Sequence, residues 1–157
     1  MTSSDVAKTI TTDSEAATAN AGRDLGDTLA AGDVVLLYGD LGAGKTAFVK
    51  GLAEGLGVSR DEVSSPTFTL VQEYRGGRLT LFHVDLYRID DPREIDDLGL
   101  DELAADGVLA IEWAEKLRAF RGGGDDAQAP RSVAVRIQHG DGDTRVLTIG
   151  EASAPSR

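Results

Sequence analysis

Val34-Val35-Leu36-Leu37-Tyr38-Gly39-Asp40-Leu41-Gly42-Ala43-Gly44-Lys45-Thr46 is an apolar run that opens directly into a complete G-x-x-x-x-G-K-T phosphate-binding loop. The glycines let the backbone turn tightly with its N–H groups aimed at an anion, in the position a nucleotide's phosphates would take. Lys45 can reach the β- and γ-phosphates, and the Thr46 hydroxyl suits magnesium. The residues after the loop fit the same pattern. Ala47 to Leu56 carries Phe48, Leu52 and Leu56 four apart on one face, with Gly57 placed to end a helix. Strand, loop and helix succeed one another in the order the chemistry demands, and the helix N-terminus adds its partial positive charge.

Outward from this unit, Thr12-Asp13-Ser14-Glu15 matches a capping box, with Thr12 as N-cap of a first helix marked by Ala16, Leu25 and Leu29. Ser64-Ser65-Pro66-Thr67 breaks the chain after the loop helix. Phe68 to Tyr74 and Leu79 to Asp85 read as an antiparallel hairpin turning at Arg75-Gly76-Gly77-Arg78. A short helix is expected around Leu98 to Ala105. Val108 to Ile111 is a continuous apolar run suited to a buried strand beside the loop strand. Val133, Val135 and Ile137 alternate toward a turn at Gly140 to Asp143, after which Val146 to Ile149 pairs back. The expectation is a three-layer α/β domain of the P-loop nucleotide-hydrolase type, with a mixed, mostly parallel sheet and antiparallel hairpins. Its ordered core spans about 9–150. The ends, Met1 to Lys8 and Glu151 to Arg157, and a Gly/Asp/Ala/Gln/Pro segment at about 121–131, read as flexible.

At 157 residues the chain has the length of one domain, so 1–157 is expected to form a single unit. No apolar run approaches the roughly 18 residues needed to cross a bilayer, and Met1 to Ile10 lacks the apolar centre of a signal peptide. A cytoplasmic protein is expected. With no cysteine, disulfides, thiol nucleophiles and thiolate metal sites are excluded. The formal charge of −11, from 27 acidic and 16 basic residues, argues against tight direct binding to a nucleic-acid backbone. Acids gather from Asp90 to Glu102, either as a solvated face or as a docking face for a basic partner.

A phosphate-binding loop needs an acid at the end of a neighbouring strand to hold magnesium or position water, and two candidates compete. Glu112 closes the apolar run Val108-Leu109-Ala110-Ile111, and Asp85 closes Leu81-Phe82-His83-Val84. Both fall at C-terminal strand ends, where ligands bind in open α/β sheets. Pattern favours Glu112, because a histidine interrupts the other run. His83 and Asp85 share a strand face and offer two metal ligands, too few for a metal site; a histidine satisfied within the sheet is the simpler reading. Trp113 either packs beside the site or belongs to the core. Thr67 is a candidate switch residue near the γ-phosphate, in a sequence that also suits an ordinary turn.

Gly39 to Thr46, Ser65-Pro66-Thr67-Phe68-Thr69, Asp85-Leu86-Tyr87-Arg88 and Glu112-Trp113, in this order and spacing, closely resemble the bacterial TsaE (YjeE) family. The resemblance spans about Thr12 to Ile149. It implies the P-loop ATPase of tRNA threonylcarbamoyladenosine biosynthesis, a modification of the adenosine next to the anticodon. It further implies that Asp40, Leu41, Gly42, Ala43, Gly44, Lys45 and Thr46 surround the ATP phosphates, and that Thr46 and Glu112 hold magnesium with Asp85 in support. Thr67 would lie near the γ-phosphate, Thr12 near the adenine, and Trp113 beside the nucleotide. Lys45, Asp85, Glu112 and Thr67 would then carry the catalysis. The family works with a TsaB–TsaD heterodimer, in which TsaD transfers the threonylcarbamoyl group, so tRNA would be met only indirectly. The variable 121–131 segment lies where family members differ.

Two other classes share the loop. A small-molecule kinase needs a mobile arginine-rich lid, and Arg118, Arg121 and Arg131 form no compact lid motif. A guanine-nucleotide switch needs N-K-x-D, which is absent, and the D-x-x-G match at Asp96 to Gly99 does not follow a strand. A nucleotide-dependent switch without significant intrinsic turnover remains open.

Overall fold

The computed structural model describes residues 8–39, 44–58, 71–86, 93, 99, 102, 105, 107–112 and 132–151. Among these residues, nine elements run in the order β1 (Lys8–Thr12), α1 (Glu15–Gly26), β2 (Val34–Gly39), α2 (Lys45–Gly55), β3 (Val71–Tyr74), β4 (Thr80–Asp85), β5 (Gly107–Glu112), β6 (Ser132–His139) and β7 (Arg145–Glu151). One seven-stranded sheet results, in the order β1-β7-β6-β2-β5-β4-β3. Its centre is parallel, β2 lying between β5 and β6 with β4 outside β5. The pairs β1–β7, β6–β7 and β3–β4 at the two sides are antiparallel. The mixed α/β architecture is the expected one, with parallel pairing confined to the middle.

Hydropathy explains which strands sit where. All six residues of β5 are buried, and in β2 Val35, Leu36 and Leu37 are buried without alternation, as strands covered on both faces require. One face packs Val35, Leu37, Val108, Ala110, Val133, Val135 and Ile137 against Phe48, Val49, Leu52 and Leu56 of the loop helix. On the opposite face Leu36, Phe82, Val84, Leu109 and Ile111 are buried as well. β6 alternates, burying Val133, Val135 and Ile137 while Arg136 and Gln138 face water.

The two helices pack at backbone distance. A Cβ at Gly51 would lie 1.6 Å from the Ala19 carbonyl oxygen, and one at Gly22 would lie 2.1 Å from that of Phe48. The turn between β3 and β4 is anchored by Arg78, whose guanidinium donates to the carbonyls of Leu29 at 2.9 Å and Gly26 at 2.7 Å. Gly26 is the last residue of α1 and Leu29 lies just beyond it, so Arg78 ties the turn to the C-terminal end of that helix.

The first helix begins differently from the expectation. Ser14, not Thr12, is its N-cap, accepting from the Ala17 amide at 3.0 Å. Thr12 instead ends β1, a strand the sequence pattern did not suggest, and its hydroxyl is 2.7 Å from that of Thr18 in a buried contact. As the last residue of β1, Thr12 stands two residues ahead of the cap position. Lys8 and Glu151, read as parts of flexible ends, belong to strands β1 and β7. The break at 64–67, the start of the expected Phe68 strand, most of the expected 98–105 helix and the 121–131 segment lie outside the described residues.

Candidate functional site

The loop's two flanks are set by the strand–helix junction. Gly39 ends β2, where a Cβ would fall 2.5 Å from the Ile137 carbonyl oxygen of β6. Gly44 precedes α2 with φ of +101°, a conformation side chains rarely adopt. Gly44, the N-cap of α2, has no side chain with which to cap it, and no acid stands in the helix's first turn. An anion is the partner that such a terminus suits. Lys45, the first residue of α2, is 4% exposed, and its Nζ donates to the Gly39 carbonyl at 2.9 Å. Its ammonium therefore returns to the strand that precedes the loop. Asp40, Leu41, Gly42 and Ala43 lie outside the described residues.

The two acids meet through strand register. β4 and β5 are parallel neighbours with Asp85 directly opposite Glu112, and Glu112 in turn pairs with Leu37 of β2. Adjacent strands lie about 4.8 Å apart, so Glu112 stands one strand and Asp85 two strands from the strand that feeds the loop, both at C-terminal strand ends. The Leu86 amide donates to the Glu112 carbonyl at 3.2 Å, continuing the pairing past the last strand residue.

Glu112 is 6% exposed, and its Oε2 lies 2.6 Å from Nε2 of His83, which is fully buried. His83 shares a face of β4 with Asp85 but turns its ring nitrogen to the glutamate. The imidazole also faces the Tyr74 ring, with centroids 6.3 Å apart and planes tilted by 40°. The histidine expected to be satisfied within the sheet is so only in part: Nε2 has Glu112 as its partner, while Nδ1 is buried without one among the described residues. Its signal in the sequence was weak, since the contact depends on the β4–β5 register. Among the described residues, no three His, Cys, Asp or Glu side chains are grouped to hold a metal ion by themselves. The carboxylates of Asp85 and Glu112 are the donor type that magnesium takes, one or two at a time, with water and phosphate oxygens completing its shell.

A third cluster borders the loop's exit. Thr12 is 5% exposed, in contact with Thr18, and stands opposite Arg145 in the β1–β7 register. A Cβ on Gly44 would lie 3.7 Å from Thr18 Cγ2 and 3.9 Å from Arg145 Nε. The Arg145 guanidinium is held by the Thr144 carbonyl at 2.9 Å and the Gly142 carbonyl at 3.2 Å. Thr12, named by resemblance alone, is brought to the end of the loop, together with Thr18 and Arg145, which the sequence did not single out. Thr46 follows Lys45 in the first turn of α2. Thr67 and Trp113 lie outside the described residues.

Among the described residues, no helix is long and apolar enough to cross a membrane. The family described as "Threonylcarbamoyl adenosine biosynthesis protein TsaE" matches residues 12–146. A Bacillus subtilis (strain 168) protein named tRNA threonylcarbamoyladenosine biosynthesis protein TsaE is 58% identical over 119 residues, covering 74% of this chain and 68% of that protein. The Streptomyces coelicolor protein of the same name is 43% identical over 128 residues, 73% of this chain and 86% of its own length. The crystal structure of YdiB from Bacillus subtilis superposes with a TM-score of 0.72 at 31% identity, covering 97% of this chain and 90% of that one. With the match extending from the Thr12 strand to the Val146 strand, this chain belongs to the TsaE family.

Proposed function

We propose that this chain is a magnesium-dependent ATPase that supports threonylcarbamoyl transfer to the tRNA adenosine next to the anticodon, acting on a TsaB–TsaD heterodimer in the cytoplasm. The observation that carries the reading is the Asp85–Glu112 pair in register at the ends of β4 and β5, with β5 next to β2, whose Gly39 carbonyl already receives the buried Lys45 ammonium. Opposite charges needed for a nucleotide and its cation are thereby brought to one sheet edge. The relatives' shared name supplies the pathway.

In this reading the loop from Asp40 to Thr46 and the first amides of α2 bind the phosphates, and Lys45 shifts its ammonium from Gly39 onto the β- and γ-oxygens. Thr46, Glu112 and Asp85 are the residues that would hold magnesium. When bound, it neutralises charge that develops on the phosphate oxygens. Glu112 and Asp85 orient water for in-line attack, and Thr67 reports the γ-phosphate. Thr12 lies toward the adenine, and Trp113 flanks the nucleotide. The threonylcarbamoyl group itself is transferred by the partner, and tRNA is met through it.

Glu112→Ala is expected to keep ATP affinity within about threefold while lowering turnover about 100-fold or more, the scale of losing a water-orienting group. Calorimetry and phosphate release check this; unchanged turnover would reject the assignment. A pull-down with TsaB–TsaD in ATP, ADP and no nucleotide tests the partner. Association independent of nucleotide would reject coupling.

A further inference from the structure

His83 is the least exposed polar side chain at the site, and the proposed chemistry leaves it unused. Its ring is fully buried, its Nε2 lies 2.6 Å from Glu112 Oε2, and its Nδ1 is buried without a hydrogen-bond partner among the described residues. A proton on Nδ1 would have no acceptor, whereas one on Nε2 is donated to a carboxylate at close range. The surroundings therefore select one tautomer, with the ring acting as donor to Glu112. Tyr74 closes the other side with a ring centroid 6.3 Å away.

Glutamate is a poor choice for a fixed ligand unless something restrains it, since its χ angles leave the carboxylate free to sample several positions. Glu112 is the last residue of β5, so the strand fixes its backbone but not its head group. We infer that His83 is the positioning residue of the site: its Nε2–H holds Oε2 of Glu112 and so leaves Oε1 as the oxygen aimed at magnesium and the attacking water. The inference rests on the proposed reading of Glu112. It accounts for a polar residue in the middle of an otherwise apolar strand. It also separates the two chemical uses of β4, since His83 serves the glutamate and does not compete as a metal ligand. Support of this kind behind a ligand is typically worth about 10- to 100-fold in metal affinity or activity.

The test uses the full chain with Mn2+ as probe, followed by electron paramagnetic resonance in the presence of ADP, alongside kcat and KM for ATP and nucleotide affinity in chelator. His83→Leu removes the donor at similar volume. His83→Gln restores a nitrogen near the Nε2 position, while His83→Asn is polar but too short to reach Glu112. We expect His83→Leu and His83→Asn to lower Mn2+ affinity and kcat by about 10-fold or more, with nucleotide affinity in chelator unchanged within about twofold. His83→Gln should recover most of both. In a Glu112→Gln background, adding His83→Leu should weaken Mn2+ binding no further, because the histidine acts only through the glutamate. If His83→Leu does not fold, the contrast between His83→Gln and His83→Asn decides the matter in the same way.

Mn2+ affinity and kcat equal to the parent's in His83→Leu would overturn the inference alone. So would equal losses in His83→Gln and His83→Asn. A parent protein that takes up neither nucleotide nor Mn2+ would overturn the reading of the site, and the inference with it.

Discussion

Lys45 shows how a single residue is made ready for an anion. A lysine that is 4% exposed keeps little water about it, and a carbonyl such as that of Gly39 is a weaker acceptor than a phosphate oxygen. Its interaction with a nucleotide is therefore expected to be charge-assisted, worth about 1.5–3 kcal/mol. Lys45→Ala should weaken ATP binding by about 10- to 100-fold in calorimetry, with little loss of fold, because no charge is left behind. Affinity unchanged in that variant would remove Lys45 from the site. Gly44 contributes through its backbone. Its φ of +101° is what a Cβ opposes, since neighbours at 3.7 and 3.9 Å leave ordinary room for a methyl group.

Between elements, the decisive contact is α1 against α2. Gly22 and Gly51 let each helix backbone touch the other, which sets Thr18 of α1 against Gly44 at the start of α2. A wider separation would draw the Thr12–Thr18 pair away from the loop. Gly51→Ala places a methyl where the Ala19 carbonyl oxygen already sits, 1.6 Å away, so the helices must part. Overpacking of this kind costs about 1–3 kcal/mol. For a chain of this size the midpoint of thermal unfolding should fall by about 2–10 °C, read by calorimetry. ATP affinity should fall with it, since the loop's exit moves. A variant as stable as the parent would mean that the helices can separate without strain.

At the scale of the whole molecule, a charge of −11 opposes the approach of a polyanion while the loop helix offers a local positive end. The proposed function asks for both, a nucleotide bound at one edge and a tRNA handled by partners. The chain alone is therefore expected to leave tRNA unretarded on a native gel at about 0.1 M salt, where exposed charges are screened beyond about 10 Å. Retardation should appear only when TsaB–TsaD is added. Direct, salt-sensitive binding by the chain alone would show a basic surface that its composition does not suggest.

Gly44, Lys45 and the apolar β2 run declare themselves in the sequence because they are local: a turn, a helix start and a strand lie within consecutive residues. Glu112 and Asp85 were legible as acids closing strands, since position along a strand is a property of sequence. β1 was not, because Lys8–Thr12 is short and polar, and what holds it is pairing with β7 more than a hundred residues later. The N-cap falls on Ser14 and not Thr12 for the same reason, since the pairing with β7 draws Thr12 into the strand. By itself the sequence determined a phosphate-binding strand–loop–helix and the acids to stand near it. Only the tertiary structure decided that His83 holds Glu112 and that Thr18 and Arg145 converge on Gly44, with Thr12 against Thr18, because such contacts depend on strand register and helix separation, which no local pattern encodes.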